Sequence, residues 1–150
     1  MLIVPTDRER WLANHAHFFL FGVDVLYHGT RYAGAILRSG MLLPSPGATN
    51  AICLTRSPLE AAYWAMFPRD GDEGRGTVFV LQRDRLEARA RLDPFRHHEG
   101  REEYEERVWS KPVELVPVMV GYVSEPFKID DGDAPSSTRP KVVRVRKKKP

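Results

Sequence analysis

The feature that most constrains the fold is a series of short apolar segments, several of which follow one another with no helix between them. The segments are rich in β-branched and aromatic residues, which predicts β-strands. In chain order they are DVLYH, AICLT, TVFVLQ, ARLDPF, EYEERVW and LVPVMVGYV. Because the late strands are not separated by helices, the pattern favours an α+β fold over a doubly wound sheet.

Helical patterns lie early in the chain. DRERWLANHAHFFL spaces its apolar residues by three and four positions, which predicts an opening helix. YAGAILRSG places Ala33, Ile36 and Leu37 on one face of a short second helix. In SPLEAAYWAMF, Ser57 is a favourable N-cap and Pro58 suits the first helical position, so a third helix is predicted to run through the final Phe of that segment.

Length and composition fit one globular domain. The 150 residues are 42% hydrophobic, which is enough to bury a core. KIDDGDAPSST contains almost nothing apolar, as is typical of a linker. We therefore predict a folded domain at residues 1–127, acting as a monomer, and a flexible linker with a basic tail at residues 128–150.

Two features favour a cytoplasmic protein. The single cysteine, Cys53, excludes an internal disulfide framework, and no signal-peptide pattern is visible. The most apolar stretch, HFFLFGVDVLY, is about half the length that a membrane helix needs, so no membrane partner is expected.

The net charge of +3 conceals an uneven distribution. Residues 139–150 contain seven of the 23 Lys and Arg residues and no acid, which leaves 16 basic against 20 acidic residues in the rest of the chain. A basic tail of this kind suits nucleic acid or another anionic surface. A solvated terminus fits equally well, and the alternation in KVVRVRK also permits a short edge strand.

Several familiar catalytic motifs are missing from the sequence. It has no phosphate-cradling Gly-rich loop, no paired-cysteine motif, no His-Glu-x-x-His and no Gly-x-Ser-x-Gly. His97 and His98 are followed by Glu99, but adjacent histidines point in different directions on a regular element. No metal site is therefore predicted.

Three site segments carry residues that suit ligand chemistry. The first, LYHGT, ends the first strand with His28, Gly29 and Thr30. Glycine permits close approach to the backbone, and the neighbouring side chains offer hydrogen bonds, a combination that suits a carboxamide. The alternative is an ordinary turn with Thr30 as a cap.

The second site segment, ICLTRSPLEAAYWA, has Thr55 at the end of a strand and Tyr63 and Trp64 on the helix that follows. An aromatic ring can stack on a flat heterocycle, but a core position is the alternative for both rings. The third, REEYEERVW, places Glu103, Glu105 and Arg107 on one face of a strand, with Glu106 on the other. Its alternative is a solvated acidic loop.

The order of the three segments resembles the ADP-ribosyltransferase superfamily over about residues 25–123. LYHGT looks like the first motif of the poly(ADP-ribose) polymerase-like and RNA 2′-phosphotransferase branches. ICLTRSPLEAAYWA is similar to the second motif, although Cys53 stands where the polymerase-like branch has a tyrosine, and EYEERV is similar to the strand with the catalytic glutamate. The layout looks most like small phage and bacterial proteins of this superfamily. The resemblance implies a split β-sandwich of short strands with a few helices.

The resemblance also implies that NAD⁺ is the donor substrate, bound in a cleft between two small sheets. His28 would hydrogen-bond a ribose hydroxyl, the Gly29 backbone would clamp the nicotinamide carboxamide, and Thr30 would set the turn. Tyr63 would stack on the nicotinamide ring. Thr55 would brace the catalytic carboxylate or contact the ribose.

Glu105 would be the catalytic carboxylate, which stabilises positive charge on the ribose as nicotinamide departs. Glu103 would orient or deprotonate the acceptor. Glu106 replaces Glu105 in this role if the strand register shifts by one residue. The acceptor stays open among nucleic acid, protein and small molecules.

Two other functions are also open. RNA 2′-phosphate removal uses the same donor and a similar His-Gly-Thr turn, although the acidic body argues mildly against it. A non-enzymatic nucleic-acid-binding protein would rely on the basic tail.

Overall fold

The computed structural model describes residues 22–44, 50–96 and 102–124, without the side chains of 95–96 and 102–104. The predicted opening helix, His97 to Glu99, the linker and the basic tail lie outside these residues. The predicted domain boundary after residue 127 therefore stays a prediction.

Eight strands and three helices make up the described part of the chain. The strands are β1 (Val25–Thr30), β2 (Met41–Leu42), β3 (Ala51–Thr55), β4 (Thr77–Gln82), β5 (Asp93–Arg96), β6 (Glu102–Trp109), β7 (Val113–Glu114) and β8 (Met119–Ser124). The helices are α1 (Ala33–Ser39), α2 (Pro58–Met66) and α3 (Arg83–Glu87).

Six of these strands form one antiparallel sheet in the order β5-β6-β3-β1-β4-β8, and β2 pairs with β7 in a small second sheet. The expectation of an α+β domain built from short strands and a few helices is confirmed at this level.

Both faces of the six-stranded sheet are covered. On one face, Val25, Tyr27 and Val80 pack against the alanines of α2. On the other, Leu26 and Phe79 belong to a larger core that α1, β2 and β7 complete. Burial on both sides explains why TVFVLQ is a continuous apolar run instead of an alternating one.

Helix α2 begins where the sequence predicted. The Ser57 side chain accepts the backbone N–H of Glu60 at 3.2 Å, and Pro58 occupies the first helical position. The helix ends at Met66, one residue before the predicted Phe67.

Three local features differ from the prediction. Helix α1 buries Ala33 and Ile36, but Leu37 is 43% exposed, because the two turns of α1 meet the core along a narrow stripe. Helix α3 and the β2–β7 sheet were not predicted. Elements of two to five residues are too short to show a periodic pattern.

The loop between α2 and β4 folds back on the end of β1. Arg31, the residue after β1, donates from Nε to Asp72 at 3.0 Å, and Glu73 accepts the backbone N–H groups of Gly34 and Ala35 in α1. These bonds fix the chain that leaves the first site segment.

Candidate active site

The three site segments lie on adjacent strands of the large sheet. The first segment lies in β1, the second begins in β3, and most of the third lies in β6. Thr55 in β3 is in register with Tyr27 of β1 on one side and with Glu105 of β6 on the other. Segments that are far apart in the sequence therefore meet at one place on the sheet.

Strands β1 and β3 separate next to this place. Among the described residues, their register consists of the Tyr27–Thr55 pair, whereas β1 is paired with β4 from Val25 to Thr30. We call the edge between β1 and β3 beyond that pair, along residues 28–30 and 51–54, the seam. Strand edges without a ladder present backbone N–H and C=O groups to a ligand.

The His28 ring lies at the seam. Its Nδ1 is 2.9 Å from the backbone carbonyl oxygen of Cys53. Because a carbonyl can only accept, Nδ1 carries the proton, and Nε2 of the neutral ring is left as an acceptor. Burial lowers the pKa of His28, although its bond to Cys53 opposes this, and the charge of Arg69 lowers the pKa further. The neutral ring is therefore the form at neutral pH.

Gly29 and Thr30 have structural roles that the sequence did not separate from ligand binding. A side chain on Gly29 would overlap the backbone carbonyl oxygen of Ala61 in α2. Its missing side chain thus makes room for the helix, and only its backbone is left for a ligand. The Thr30 side chain accepts the N–H of Tyr32 at 3.0 Å, which fixes the turn after β1.

The carboxylate of Glu105 is held by a side chain on its own face of the sheet. Arg107 donates from Nε to Oε2 of Glu105 at 2.6 Å, and the two side chains are 13% and 15% exposed, respectively. Cys53 of β3 is in register with Arg107, and the charge of Glu105 acts on its thiol. Burial first, and then the negative charge of Glu105, raise the pKa of Cys53 to about 11.

Glu106 lies on the opposite face and is 2% exposed. Its carboxylate accepts a hydrogen bond from Nη2 of Arg83 at 2.6 Å and forms an ion pair with Nε of Arg56 at 3.7 Å. The predicted strand register, with adjacent glutamates on opposite faces, is therefore what the structure shows. Glu103 lies in β6, but its side chain is outside the described residues.

Thr55 does not brace Glu105. Its hydroxyl donates to the buried carboxylate of Glu60 at 2.8 Å and accepts the backbone N–H of Ser57 at 3.0 Å. Ser57 and Glu60 have the spacing of a capping box, with the Thr55 hydroxyl inserted between them. The predicted contact between Thr55 and Glu105 is therefore wrong. The Thr55 hydroxyl instead stabilises the start of α2.

Tyr63 is 8% exposed and so occupies a core position, the alternative to ligand stacking. Its ring packs edge-on against Trp64 at 5.2 Å between centroids and also contacts Phe67. A nicotinamide ring could stack on Tyr63 only if these neighbours moved. Trp64 is less buried and has the Arg69 guanidinium 5.7 Å from its ring centroid.

Two partners in this site were not assigned from the sequence. The alternation of side chains along the strand placed Arg107 on the same face as Glu105. A shared face does not by itself predict a contact between the two side chains. The position of Cys53 beside Glu105 and Arg107 depends on the register of β3 with β6, which no local pattern specifies.

The described residues contain no group of three or more His, Cys, Asp or Glu side chains arranged to hold a metal ion. No helix in this part of the chain has the length and apolar character that spanning a membrane requires. Comparison with protein-family models, with curated proteins and with solved structures finds no match to the chain.

Proposed function

We propose that this chain is an NAD-dependent ADP-ribosyltransferase with the split β-sandwich of that superfamily, acting as a cytoplasmic monomer. One observation carries the proposal: Thr55 of β3 is in register with Tyr27, next to His28, on one side and with Glu105 on the other, and the His28 ring bonds to the backbone of Cys53. A histidine, a strand edge without a ladder and a fixed carboxylate thus come from three neighbouring strands of the sheet, contributed by three separate segments.

NAD⁺ binds along the seam in this proposal. The nicotinamide carboxamide has one acceptor and two donor hydrogens, which the backbone of Gly29 can match with an N–H and a C=O group. Nε2 of His28 accepts a hydrogen bond from a ribose hydroxyl. The buried ring of Tyr63 and the Thr55 hydroxyl, which is bonded to Glu60, have no part in this arrangement, and here the proposal departs from the roles implied by resemblance.

The reaction breaks the bond between the ribose carbon and the nicotinamide nitrogen, and the electron pair leaves with nicotinamide. Positive charge develops on the ribose, and the carboxylate of Glu105 stabilises it. Because the carboxylate is already fixed by its neighbours, it needs no reorganisation as this charge appears. The acceptor then bonds to the ribose carbon and loses a proton, for which Glu103 is the proposed base.

Nicotinamide release by the full chain tests this function. Glu105→Gln keeps the shape of the side chain but removes its charge, so turnover should fall by roughly 10²-fold or more. The affinity for NAD⁺ should change little, because the interaction is made mainly in the transition state.

Glu106→Gln is the matched control. The substitution is the same, one residue away, but on the face that contacts Arg83. It should lower the free energy of unfolding by about 2 kcal/mol through its buried ion pair and leave turnover nearly unchanged at a temperature where the variant is folded. If Glu106→Gln abolishes turnover and Glu105→Gln spares it, the catalytic assignment is wrong.

A parent chain that releases no nicotinamide with any acceptor would overturn the proposal. Labelled NAD⁺ in a cell lysate, followed by nuclease or protease digestion of the labelled fraction, identifies the acceptor class. The basic tail favours a second function, non-enzymatic binding of nucleic acid. Strong salt-dependent binding without turnover would establish that function instead.

A further inference from the structure

We propose that Arg107 is a positioning residue for Glu105: its Nε–H holds Oε2 of the carboxylate and directs Oε1 at the ribose. This inference rests on the proposed function. Residues two apart on a strand lie on the same face, about 7 Å apart along the chain, so a long side chain can reach back to its neighbour. The resulting N–O distance of 2.6 Å is that of a short charge-assisted hydrogen bond.

Arg107 is itself held in place. Its Cζ lies 5.3 Å from the ring centroid of Trp109, two residues further along the same face of β6. A guanidinium at this distance over an aromatic ring makes a cation–π contact, which favours one position of the side chain. Trp109 therefore helps to hold Arg107, and Arg107 in turn holds the carboxylate of Glu105.

Arg107 has two opposing effects on the reaction. Its positive charge weakens the field of Glu105 at the developing ribose cation, which would slow turnover. Its hydrogen bond removes the freedom of a carboxylate that would otherwise rotate, and a misplacement of 1 Å can cost about 10²-fold in rate. The bond joins Nε to Oε2 and so fixes the plane of the carboxylate, and we expect positioning to outweigh the loss of field.

Steady-state kinetics on Arg107→Gln, Arg107→Lys and Arg107→Gly test this balance. We expect kcat of Arg107→Gln to fall by roughly 10-fold to 10²-fold, with KM for NAD⁺ nearly unchanged. Arg107→Lys keeps the charge without the planar fork and should recover part of the loss. Guanidinium ion should restore turnover to Arg107→Gly. Arg85→Gln is the control, because Arg85 is exposed and donates to the backbone carbonyl of Pro117, just before β8, the edge strand farthest from β5 and β6.

A double-mutant cycle separates positioning from a general structural role. If Arg107 acts through Glu105, Arg107→Gln should have no further effect on kcat in a Glu105→Gln background. Additive losses would overturn the inference. An Arg107→Gln variant that matches or exceeds the parent in kcat would also overturn it, because the charge effect would then dominate.

Cys53 supplies a readout that needs no turnover. It is the single thiol of the chain, so its alkylation by iodoacetamide reports one site. Glu105 raises the pKa of Cys53 and Arg107 lowers it. At a fixed alkaline pH, Glu105→Gln should therefore speed alkylation and Arg107→Gln should slow it.

The two sets of measurements distinguish the failures. If alkylation responds as expected but the parent has no turnover, the ion pair exists while the proposed function and the positioning role both fail. If the parent turns over NAD⁺ and the cycle is additive, the positioning role alone is wrong. Turnover together with a non-additive cycle supports both proposals.

Discussion

Glu105 and Glu106 are adjacent in the chain but have different chemical environments. Glu106 is closed off by Arg83 in a buried ion pair, which suits a structural role. Glu105 is paired with Arg107 on the other face, beside Cys53 of β3, and part of its surface is exposed. At the residue scale, the strand register decides which of two identical side chains is available for chemistry.

The protonation state of His28 should control NAD⁺ binding. Burial lowers its pKa from the ordinary 6.5, so the neutral ring predominates at and above that pH. As the pH falls further, protonation turns Nε2 from an acceptor into a donor, and affinity for NAD⁺ should decline. Calorimetry on the full chain over a range of pH measures this.

His28→Ala provides the comparison for that series. It should lose on the order of 1 kcal/mol of binding free energy at neutral pH and show little of the decline at low pH. If the parent and His28→Ala bind NAD⁺ equally well, His28 is not part of the site.

The elements that local chemistry specifies were predictable from the sequence. AICLT and TVFVLQ are strands over the expected residues, and the Ser57 cap fixes the start of α2. The contacts of Thr55 were not predictable, because its hydroxyl is used by a helix that packs back on its own strand. Nor was the separation of β1 from β3, which depends on how both strands pair elsewhere in the sheet.

Gly29 should be required for the packing of α2. Gly29→Ala places a methyl group against the backbone of Ala61, and backbone cannot move aside as a flexible side chain can. We expect a loss of about 1–3 kcal/mol or more in the free energy of unfolding. Thermal and denaturant melts measure it.

Gly34→Ala is the control for that substitution. Its methyl group would meet only the ends of the Glu73 and Arg38 side chains, and alanine is the better helix former. Its stability should stay within about 1 kcal/mol of the parent. Equal effects at the two positions would show that α2 does not constrain Gly29.

At the scale of the whole molecule, charge is divided between an acidic body and a basic tail. The 16 basic and 20 acidic residues outside residues 139–150 give the body a net negative charge, which repels nucleic acid. Any attraction to a polyanion should therefore come from the tail, and the candidate site can be studied separately from it.

Removing residues 128–150 should leave Tm nearly unchanged. The same truncation should flatten the salt dependence of nucleic-acid binding, because the seven positive charges of residues 139–150 and their counterion release are lost. Melting curves and salt titrations on the full chain and the truncated chain test both expectations. A large fall in Tm would show that KVVRVRK is a strand of the fold.

The position of β1 has a consequence for folding during synthesis. It is the first described strand in the chain but the fourth across the sheet, between β3 and β4. As the chain leaves the ribosome, one edge of VLYHGT waits for β3, and the other stays unpaired until Gln82, the end of β4, has been made. Such delayed, non-local pairing slows folding and exposes strand edges to other chains. The central position that brings β1 to the candidate site therefore makes the chain prone to misassembly until β1 is paired.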